Sequence, residues 1–270
     1  MSEHIKLKKL QSLLMDMGGV AVAFSGGVDS TFLLNVAHQT LGDKTVAITA
    51  VSDLYPARET GEARKFAADR NIRHIEYEVN ELAVEAFAKN PENRCYICKK
   101  NIFSSFKKIS AELGFTLVEG SNVDDDSDYR PGMQAIKELG VLSPLQEAGL
   151  TKAEIRFLSR EMGLSTHDKP SFACLASRFP YGEAITREKL NAVDKAEQIL
   201  LDMGFRQART RYHGNLARIE VEPNEIEKML QPDMREAIYS KIKQVGFTYV
   251  SLDLKGYRTG SMNETILKIT

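Results

Sequence analysis

Three shortages in the sequence exclude broad classes of protein. The chain has only three cysteines among 270 residues, and an odd count does not suit a disulfide framework. Its 36 basic and 37 acidic residues nearly cancel, which disfavours a protein that holds nucleic acid by bulk electrostatic attraction. No run reaches the roughly 18 apolar residues of a membrane-spanning helix. We therefore expect neither a membrane protein nor a strongly basic nucleic-acid-binding protein.

The remaining composition is that of a globular protein with a buried core. Hydrophobic residues make up 43% of the chain and charged residues 27%, and this length suits one large domain or a main domain with a smaller one. Residues 1–17, MSEHIKLKKLQSLLMDM, have the charged, amphipathic pattern of a helix rather than that of a signal peptide. Together with the cysteine usage, this predicts a cytoplasmic location.

Apolar periodicity over residues 1–165 predicts strands that alternate with helices, and hence an α/β domain with a doubly wound parallel sheet. The predicted strands are 20–24, 45–51, 74–79, 116–120 and a short fifth at 141–145. The predicted helices are 4–17, 29–41, 56–70, 95–113 and 151–163.

The alternation stops at residues 166–184, which contain proline, glycine and serine with little periodicity. We interpret this segment as a linker loop. Residues 185–270 then predict a small α+β domain that contains a hairpin. Its predicted helices are 186–203 and 224–245, and its predicted strands are 206–212, 216–222 and 247–254.

A glycine-rich segment, AFSGGVDST at 23–31, follows the first predicted strand and opens the next helix. Gly26 and Gly27 allow a sharp turn and a close approach of the backbone to an anion. The free N–H groups at the start of the helix point at that anion, and the hydroxyl residues of the segment add donors. The segment is not a Walker A loop, because it lacks the lysine of that motif.

Asp29 is the unusual member of this segment. A carboxylate beside phosphates is repulsive unless a magnesium ion lies between them, so Asp29 is a candidate Mg²⁺ ligand. The alternative interpretation is an ordinary strand–helix turn with a Ser/Asp cap. The full pattern S-G-G-x-D-S-T, placed between the first strand and its helix, favours the anion-binding interpretation.

The motif SGGVDST resembles the PP-loop of the ATP pyrophosphatase superfamily. Its members bind ATP, cut it between the α- and β-phosphates and attach AMP to a substrate oxygen. In folds of this kind the nucleotide lies at the carboxyl ends of the strands. The resemblance therefore implies an ATP site formed by Phe24, Ser25, Gly26, Gly27, Asp29, Ser30, Thr31, Ala50, Val51, Ser52, Gly120 and Asn122.

The third cysteine, Cys174, lies in the segment KPSFACLASRFPYG of the predicted linker. A buried cysteine that acts as a small hydrophobic residue is one interpretation. Lys169, Ser177 and Arg178 are its neighbours in sequence, and cationic neighbours stabilise a reactive thiolate. Arg178 is equally suited to hold a phosphate through two parallel hydrogen bonds.

The PP-loop segment, DYRPG at 128–132 and the cysteine segment together resemble the LarE family, as do 209–220 and 250–263. The resemblance covers nearly the whole chain. It implies an ATP-dependent sulfur insertase that acts with other enzymes of the nickel-pincer nucleotide pathway. The implied substrate is pyridinium-3,5-biscarboxylic acid mononucleotide, whose carboxylates are adenylylated and converted to thiocarboxylates. The resemblance also implies a homo-oligomer, often a hexamer.

The pair Cys95 and Cys98, in the segment RCYICKK, decides which source of sulfur the resemblance implies. Some members of the family sacrifice the sulfur of one cysteine, at the position of Cys174 here. Others also carry a C-x-x-C, as this chain does, and this implies a [4Fe–4S] cluster on all three cysteines. Helix residues three apart share a face, and three thiolates leave one iron of a cluster open to sulfide from a donor.

Several alternatives for these thiols remain open. A structural zinc ion requires four ligands, for which His167 is the fourth candidate. A redox pair of Cys95 and Cys98, sacrificial donation by Cys174 alone, and thiols that are merely part of the core are the others.

Two further clusters are candidate ligands. The acidic run at 123–132 predicts either a solvated turn with side-chain caps or contacts to Mg²⁺ and the nucleotide. Its members are Asp124, Asp125, Asp126, Asp128 and Arg130. Arg209 and Arg211 share a face of a predicted strand and, with Ser177 and Arg178, suit the phosphate of the substrate. The resemblance also suggests roles for Glu197 and Glu220.

Two other functions stay open at this stage. Some PP-loop proteins with cysteines thiolate tRNA, although the balanced charge of this chain disfavours an RNA-binding surface. A nucleotide sensor without turnover is the third hypothesis. It is disfavoured because a sensor of ATP alone has little need of a second phosphate site.

Overall fold

The computed structural model describes residues 2–127, 131–258 and 260–261. Its helices are α1 (Ser2–Met17), α2 (Val28–Leu41), α3 (Ala57–Asp69), α4 (Glu85–Ala88), α5 (Arg94–Glu112), α6 (Pro131–Glu138), α7 (Pro144–Glu147), α8 (Lys152–Glu161), α9 (Arg187–Asp202), α10 (Ile226–Leu230) and α11 (Pro232–Val245). Short 3₁₀ helices lie at Gly42–Lys44, Glu81–Ala83, Val123–Ser127, Leu175–Arg178 and Pro223–Glu225.

The strands form two separate sheets in the described part of the chain. They are β1 (Val20–Ala23), β2 (Thr45–Val51), β3 (Arg73–Glu78), β4 (Thr116–Val118), β5 (Ala208–His213), β6 (Leu216–Val221) and β7 (Tyr249–Leu252). The first sheet has the order β3-β2-β1-β4 and is parallel throughout. The second has the order β5-β6-β7, with β5 antiparallel and β7 parallel to β6.

Helices cover both faces of the parallel sheet because successive strand residues point to opposite faces. Val20 and Val22 of β1 pack into one hydrophobic core together with residues of α1, α2, α3 and α8. Ala21, between them, packs into a second core with residues of α5 and α6. A strand that is apolar on both faces is typical of a buried parallel sheet. The first part of the chain is therefore an α/β domain, as predicted.

The chain divides into two compact units. The first comprises residues 1–81 and 93–172, and the second comprises residues 82–92 and 173–270. The first unit contains the parallel sheet, and the second contains the mixed sheet with α9, α10 and α11. Residues 166–172 belong to the first unit and 173–184 to the second, so the segment predicted as a linker is divided between them.

Two predicted elements are wrong for the same reason, which is a proline. Residues 141–145 are not a strand: Leu142 forms an isolated bridge with Val118, and Pro144 begins the short helix α7. Residues 224–245 are not one helix, because α10 ends at Leu230 and Pro232 begins α11. Proline has no N–H to donate and disfavours a helical conformation in the residue before it, so it begins helices rather than continuing strands or helices.

The described helices are too short or too polar to cross a lipid bilayer.

Candidate functional site

The glycine-rich segment begins at a fixed point at the carboxyl end of β1. The backbone N–H of Phe24 donates to the Ile48 carbonyl at 2.8 Å, and its carbonyl accepts from the Thr49 hydroxyl at 2.7 Å. The Phe24 ring is buried and packs against Phe66. The turn that follows therefore starts from an anchored residue, although Phe24 itself is largely enclosed by protein.

Gly26 and Gly27 form the turn between β1 and α2. Gly26 has φ +71°, a left-handed conformation that favours glycine. Gly27 is the N-cap of α2, and no described side chain caps the helix there. The first N–H groups of a helix have no partner within it, so this end can receive an anion. The geometry is that of an anion-binding turn.

The hydroxyl groups of the segment hydrogen-bond to one another and to its backbone. Ser25 Oγ and Ser30 Oγ are 3.1 Å apart, and Ser30 Oγ donates to the Gly27 carbonyl at 3.3 Å. Thr31 is fully buried, and its hydroxyl has no hydrogen-bond partner among the described residues. The two serines thus hold the turn closed around the start of α2.

The other residues predicted to contact the nucleotide lie at the same edge of the sheet. Ala50 and Val51 end β2 and Ser52 follows it, while Gly120 and Asn122 follow β4. A Cβ atom added to Gly120 would lie 3.0 Å from the Ser30 N atom. The segment after β4 therefore touches the start of α2 closely, and glycine permits this approach.

Asp29 of α2 forms an ion pair with a lysine that the sequence did not connect to it. Lys152 Nζ, at the start of α8, lies 2.5 Å from Asp29 Oδ2. The second oxygen, Oδ1, is buried and has no hydrogen-bond partner among the described residues. A carboxylate oxygen that lacks a partner among the described residues, next to an anion-binding helix end, is chemically suited to bind Mg²⁺.

Lys169 also reaches the glycine-rich segment. Its ammonium group donates to the Gly26 carbonyl at 3.2 Å and to Glu59 and Glu62 of α3 at 2.7 Å each. Burial lowers the pKa of Lys169, but the hydrogen bonds to these two glutamates outweigh it and hold the pKa above its ordinary value. Lys169 thus fixes the turn to α3. Its position in the sequence, five residues before Cys174, did not predict this role.

The described acidic residues after β4 form caps. The Asn122 N–H donates to Asp125 Oδ2 at 3.0 Å, and the Lys152 N–H donates to Asp124 Oδ2 at 2.8 Å. These contacts agree with the solvated-turn interpretation of the run. Asp128, Arg130 and the side chain of Asp126 lie outside the described residues.

The paired cysteines lie in the first two turns of α5. Cys95 is exposed and Cys98 is half-buried, and neither forms a disulfide. The Cys98 thiol donates to Glu81 Oε1 across 4.0 Å, and burial raises the pKa of Glu81. The first unit thus offers two thiols one helical turn apart, with a buried carboxyl beside the second. Within either unit, the described residues form no group of three or more His, Cys, Asp or Glu side chains around one metal position.

Cys174 belongs to the second unit, where it precedes the 3₁₀ helix Leu175–Arg178. Arg178 is fully buried and donates to the carbonyls of Ala173 at 2.8 Å and Cys174 at 3.2 Å. Its other nitrogens bind both oxygens of the buried Glu197 at 2.8 Å. The guanidinium therefore holds the backbone of the cysteine turn.

Arg209 and Arg211 lie on one face of β5, as the alternation predicted. Burial and the Arg178 charge lower the pKa of Arg209 to about 10. Arg211 donates to Glu220 at 2.7 Å and to the Ser177 carbonyl at 3.0 Å. Its Nε–H is buried and has no hydrogen-bond partner among the described residues. Three arginines therefore lie next to the cysteine turn within this unit, and two of them, Arg178 and Arg211, are paired with buried glutamates.

Sequence reasoning missed the partners that lie far away along the chain. Lys152 and Asp29 are 123 positions apart, and Glu81 lies in a segment without periodicity. Lys152 was placed in a predicted helix, but no local signal connects a helix start to the glycine-rich turn. Only the meeting of strand and helix ends brings these residues together.

The chain is similar to characterized and uncharacterized proteins along nearly its whole length. It is 42% identical over 264 residues to the uncharacterized protein slr1717 of Synechocystis sp., covering 97% of this chain and 98% of that one. It is 36% identical over 265 residues to pyridinium-3,5-bisthiocarboxylic acid mononucleotide synthase of Lactiplantibacillus plantarum, covering 97% and 95%.

A more distant similarity concerns part of the chain. One of the subunits of the glutamine-hydrolysing GMP synthase of Methanocaldococcus jannaschii is 28% identical over 199 residues, covering 66% of this chain and 62% of that one. No family model matches the chain. The full-length similarity to the bisthiocarboxylic acid mononucleotide synthase nevertheless exceeds what shared fold alone would give, and the chain belongs to the LarE family.

Proposed function

We propose that this chain is an ATP-dependent sulfurtransferase that converts the carboxylates of pyridinium-3,5-biscarboxylic acid mononucleotide to thiocarboxylates. The observation that carries the proposal is the 36% identity to the L. plantarum synthase over 97% of the chain. The anion-binding turn at the carboxyl end of β1 supports it, because the first step requires a held triphosphate. In fold terms, the proposal is a PP-loop domain followed by an α+β domain.

In the first step, a substrate carboxylate oxygen attacks the α-phosphate of ATP and pyrophosphate leaves. Gly26, Gly27 and the N–H groups at the start of α2 hold the phosphates. Asp29 would hold Mg²⁺ through a carboxylate oxygen, and the bound ion would supply positive charge to offset that of the pyrophosphate. Ala50, Val51, Ser52, Gly120 and Asn122 line the nucleotide at the same sheet edge. The chain supplies positioning and charge neutralisation, which dominate phosphoryl-group chemistry.

In the second step, hydrosulfide attacks the acyl carbon, the bond to AMP breaks, and AMP leaves with its electron pair. The product is a thiocarboxylate. The adenylate is essential because an oxide is a poor leaving group and AMP is a good one.

The second unit supplies the site for the phosphate monoester of the substrate. Arg211 keeps a buried Nε–H without a partner among the described residues, and a phosphate oxygen suits such a donor. Arg209 and Ser177 lie beside it, and Arg178 orients the turn that carries Ser177 and Cys174. Arg178 contributes to the site by holding this turn in place, because its own donors already bind protein groups.

Cys95, Cys98 and Cys174 are the proposed ligands of a [4Fe–4S] cluster. The pair on α5 fits this role, since two thiols outside any disulfide lie one helical turn apart near a helix start, where the dipole favours thiolates. When bound, such a cluster supplies an iron without a protein ligand, on which hydrosulfide can bind.

The test uses protein purified without oxygen. Iron and acid-labile sulfide are measured first, and the protein is then incubated with ATP, Mg²⁺, sulfide and the pyridinium substrate. We expect about four irons and four sulfides per chain, AMP and pyrophosphate release, and a thiocarboxylate product by mass spectrometry. One zinc without sulfide would contradict the cluster.

The cysteine variants separate the two sources of sulfur. Cys95→Ser should abolish iron binding and product formation if the cluster is required. If Cys174 is instead sacrificed, Cys95→Ser keeps one turnover and mass spectrometry finds dehydroalanine at position 174. AMP release that does not depend on the pyridinium substrate, or no AMP release at all, would contradict the proposed sulfurtransferase activity. The proposed enzyme works as a homo-oligomer, which size-exclusion chromatography tests. It acts together with other enzymes of the nickel-pincer pathway.

A further inference from the structure

We propose that Lys152 is a phosphate ligand of the bound nucleotide, and that Asp29 holds its ammonium group until Mg²⁺ arrives. The inference rests on the proposed function, because it assigns a further residue to the same ATP site. The glycine-rich segment has no cation of its own. Lys152 brings one to the start of α2, with its Nζ 2.5 Å from Asp29 Oδ2.

The backbone of Lys152 is fixed, so its side chain alone is free to exchange partners. The Lys152 N–H donates to Asp124 Oδ2 at 2.8 Å. Thr151, just before it, forms a reciprocal capping box with Glu154. The side chain of Lys152 is 31% exposed and that of Asp29 is 22% exposed. The ion pair is therefore accessible to solvent.

Only one oxygen of Asp29 has a partner among the described residues, and this favours the exchange of Lys152 for Mg²⁺. One oxygen meets Lys152, and the other is buried with no hydrogen-bond partner among the described residues. Mg²⁺ is a better partner for the Asp29 carboxylate than one ammonium group is, because it carries two positive charges and prefers oxygen ligands. Once Asp29 binds the metal, the ammonium is repelled by Mg²⁺ and attracted by the phosphates that arrive with it.

This exchange predicts that the contribution of Lys152 depends on Mg²⁺. Without the metal, Lys152 stays with Asp29 and contributes little to nucleotide binding. With the metal, Lys152 is released and binds a phosphate oxygen. If Asp29 cannot hold the lysine, Lys152 contributes under both conditions. A purely structural role for Lys152 would give the same effect whether or not metal is present.

The experiment measures binding of α,β-methylene ATP by isothermal titration calorimetry, with Mg²⁺ and with EDTA. The proteins are the wild type, Lys152→Met, Asp29→Asn and the double variant. We expect Lys152→Met to weaken binding about tenfold or more with Mg²⁺, as for loss of a hydrogen bond to a charged group. With EDTA we expect less than about twofold. In the Asp29→Asn background, Lys152→Met should weaken binding in both conditions.

Lys189→Met is the matched control. Lys189 pairs with Glu183 at 2.5 Å and its side chain is 24% exposed, close to the value for Lys152. It should leave the affinity unchanged in both conditions. Lys152→Arg keeps the positive charge and should bind more tightly than Lys152→Met with Mg²⁺. Circular dichroism of each variant verifies the fold.

The outcomes separate this inference from the proposed function. A wild-type protein that does not bind the analogue overturns both. A wild-type protein that binds it, together with a Lys152→Met effect that is absent or equal with and without Mg²⁺, overturns the role of Lys152 alone. An equal loss for Lys152→Arg and Lys152→Met also overturns it, since charge would then not matter.

Discussion

At the scale of single residues, the charged side chains of the candidate site are bound mainly by other protein groups. Arg178 and Glu197 are both fully buried and join through two hydrogen bonds. Burial disfavours the Glu197 carboxylate, but the charge and hydrogen bonds of Arg178 outweigh this and hold its pKa below the ordinary value. A buried pair of this kind fixes geometry more than it adds stability, because desolvation offsets much of its attraction.

Glu197→Gln should therefore destabilise the folded protein by about 3–5 kcal/mol, because it leaves the Arg178 charge buried without a counterion. A lowered carboxyl pKa stabilises the fold above the pKa of the unfolded chain, and this contribution is lost as pH falls through the folded-state pKa. The deficit of the variant should thus shrink on acidification. Urea unfolding followed by circular dichroism, at neutral pH and in acid, measures both.

The partly exposed pair of Lys189 and Glu183 provides the comparison for that measurement. Lys189→Met should change the free energy of unfolding by at most about 1 kcal/mol. A Glu197→Gln effect of that small size, or one independent of pH, would contradict the assigned role of the buried pair.

At the scale of secondary-structure elements, the site depends on how closely the ends of β1, β4 and α2 approach. Gly120 lies at the closest point, where an added Cβ would meet the Ser30 backbone at 3.0 Å. Neither the Ser30 N nor its Cα can move without shifting the start of α2. The anion-binding turn is therefore sensitive to a single methyl group at this position.

Gly120→Ala should destabilise the protein by about 1–3 kcal/mol, as overpacking does, and weaken ATP binding through displacement of α2. Gly61→Ala is the control, since an added Cβ there meets nothing within 4 Å in helix α3. It should be neutral or stabilising by up to about 1 kcal/mol. Thermal unfolding and ATP titration provide the two measurements, and equal behaviour of the two variants would refute the steric argument.

At the scale of the whole molecule, the two units are interleaved along the chain. Residues 82–92, between β3 and α5, belong to the second unit although the first unit continues after them. Asn90 secures this segment by donating to the Pro180 carbonyl at 2.7 Å and by accepting from the Gly182 N–H at 2.9 Å. Phe87 of α4 is buried there.

Phe87→Ala should therefore destabilise the second unit by about 3–5 kcal/mol, the usual cost of deleting a buried aromatic ring. The half-exposed Phe157 of α8 is the control, and Phe157→Ala should cost at most about 1 kcal/mol. Hydrogen exchange read out by mass spectrometry shows which unit is affected. Faster exchange confined to the first unit would contradict the division described above.

The sequence alone determined the elements that rest on local patterns. The bounds predicted for β2, 45–51, agree with the observed strand, and those for α2, α5, α8 and α9 lie within one or two residues of the observed helices. The glycine-rich turn was predicted because its residues are contiguous. Patterns of periodicity, capping and turn formation act over a few residues, so a sequence displays them directly.

Only the tertiary structure decided the partners of the charged residues and the assignment of segments to units. Lys152 meets Asp29 because the starts of α8 and α2 come together, and Arg178 meets Glu197 because the 3₁₀ helix Leu175–Arg178 packs against α9. No local pattern encodes such contacts. The thiol of Cys98 likewise lies beside Glu81. Sequence patterns thus specify which elements form, whereas the packing of those elements selects the charges that neutralise one another at the site.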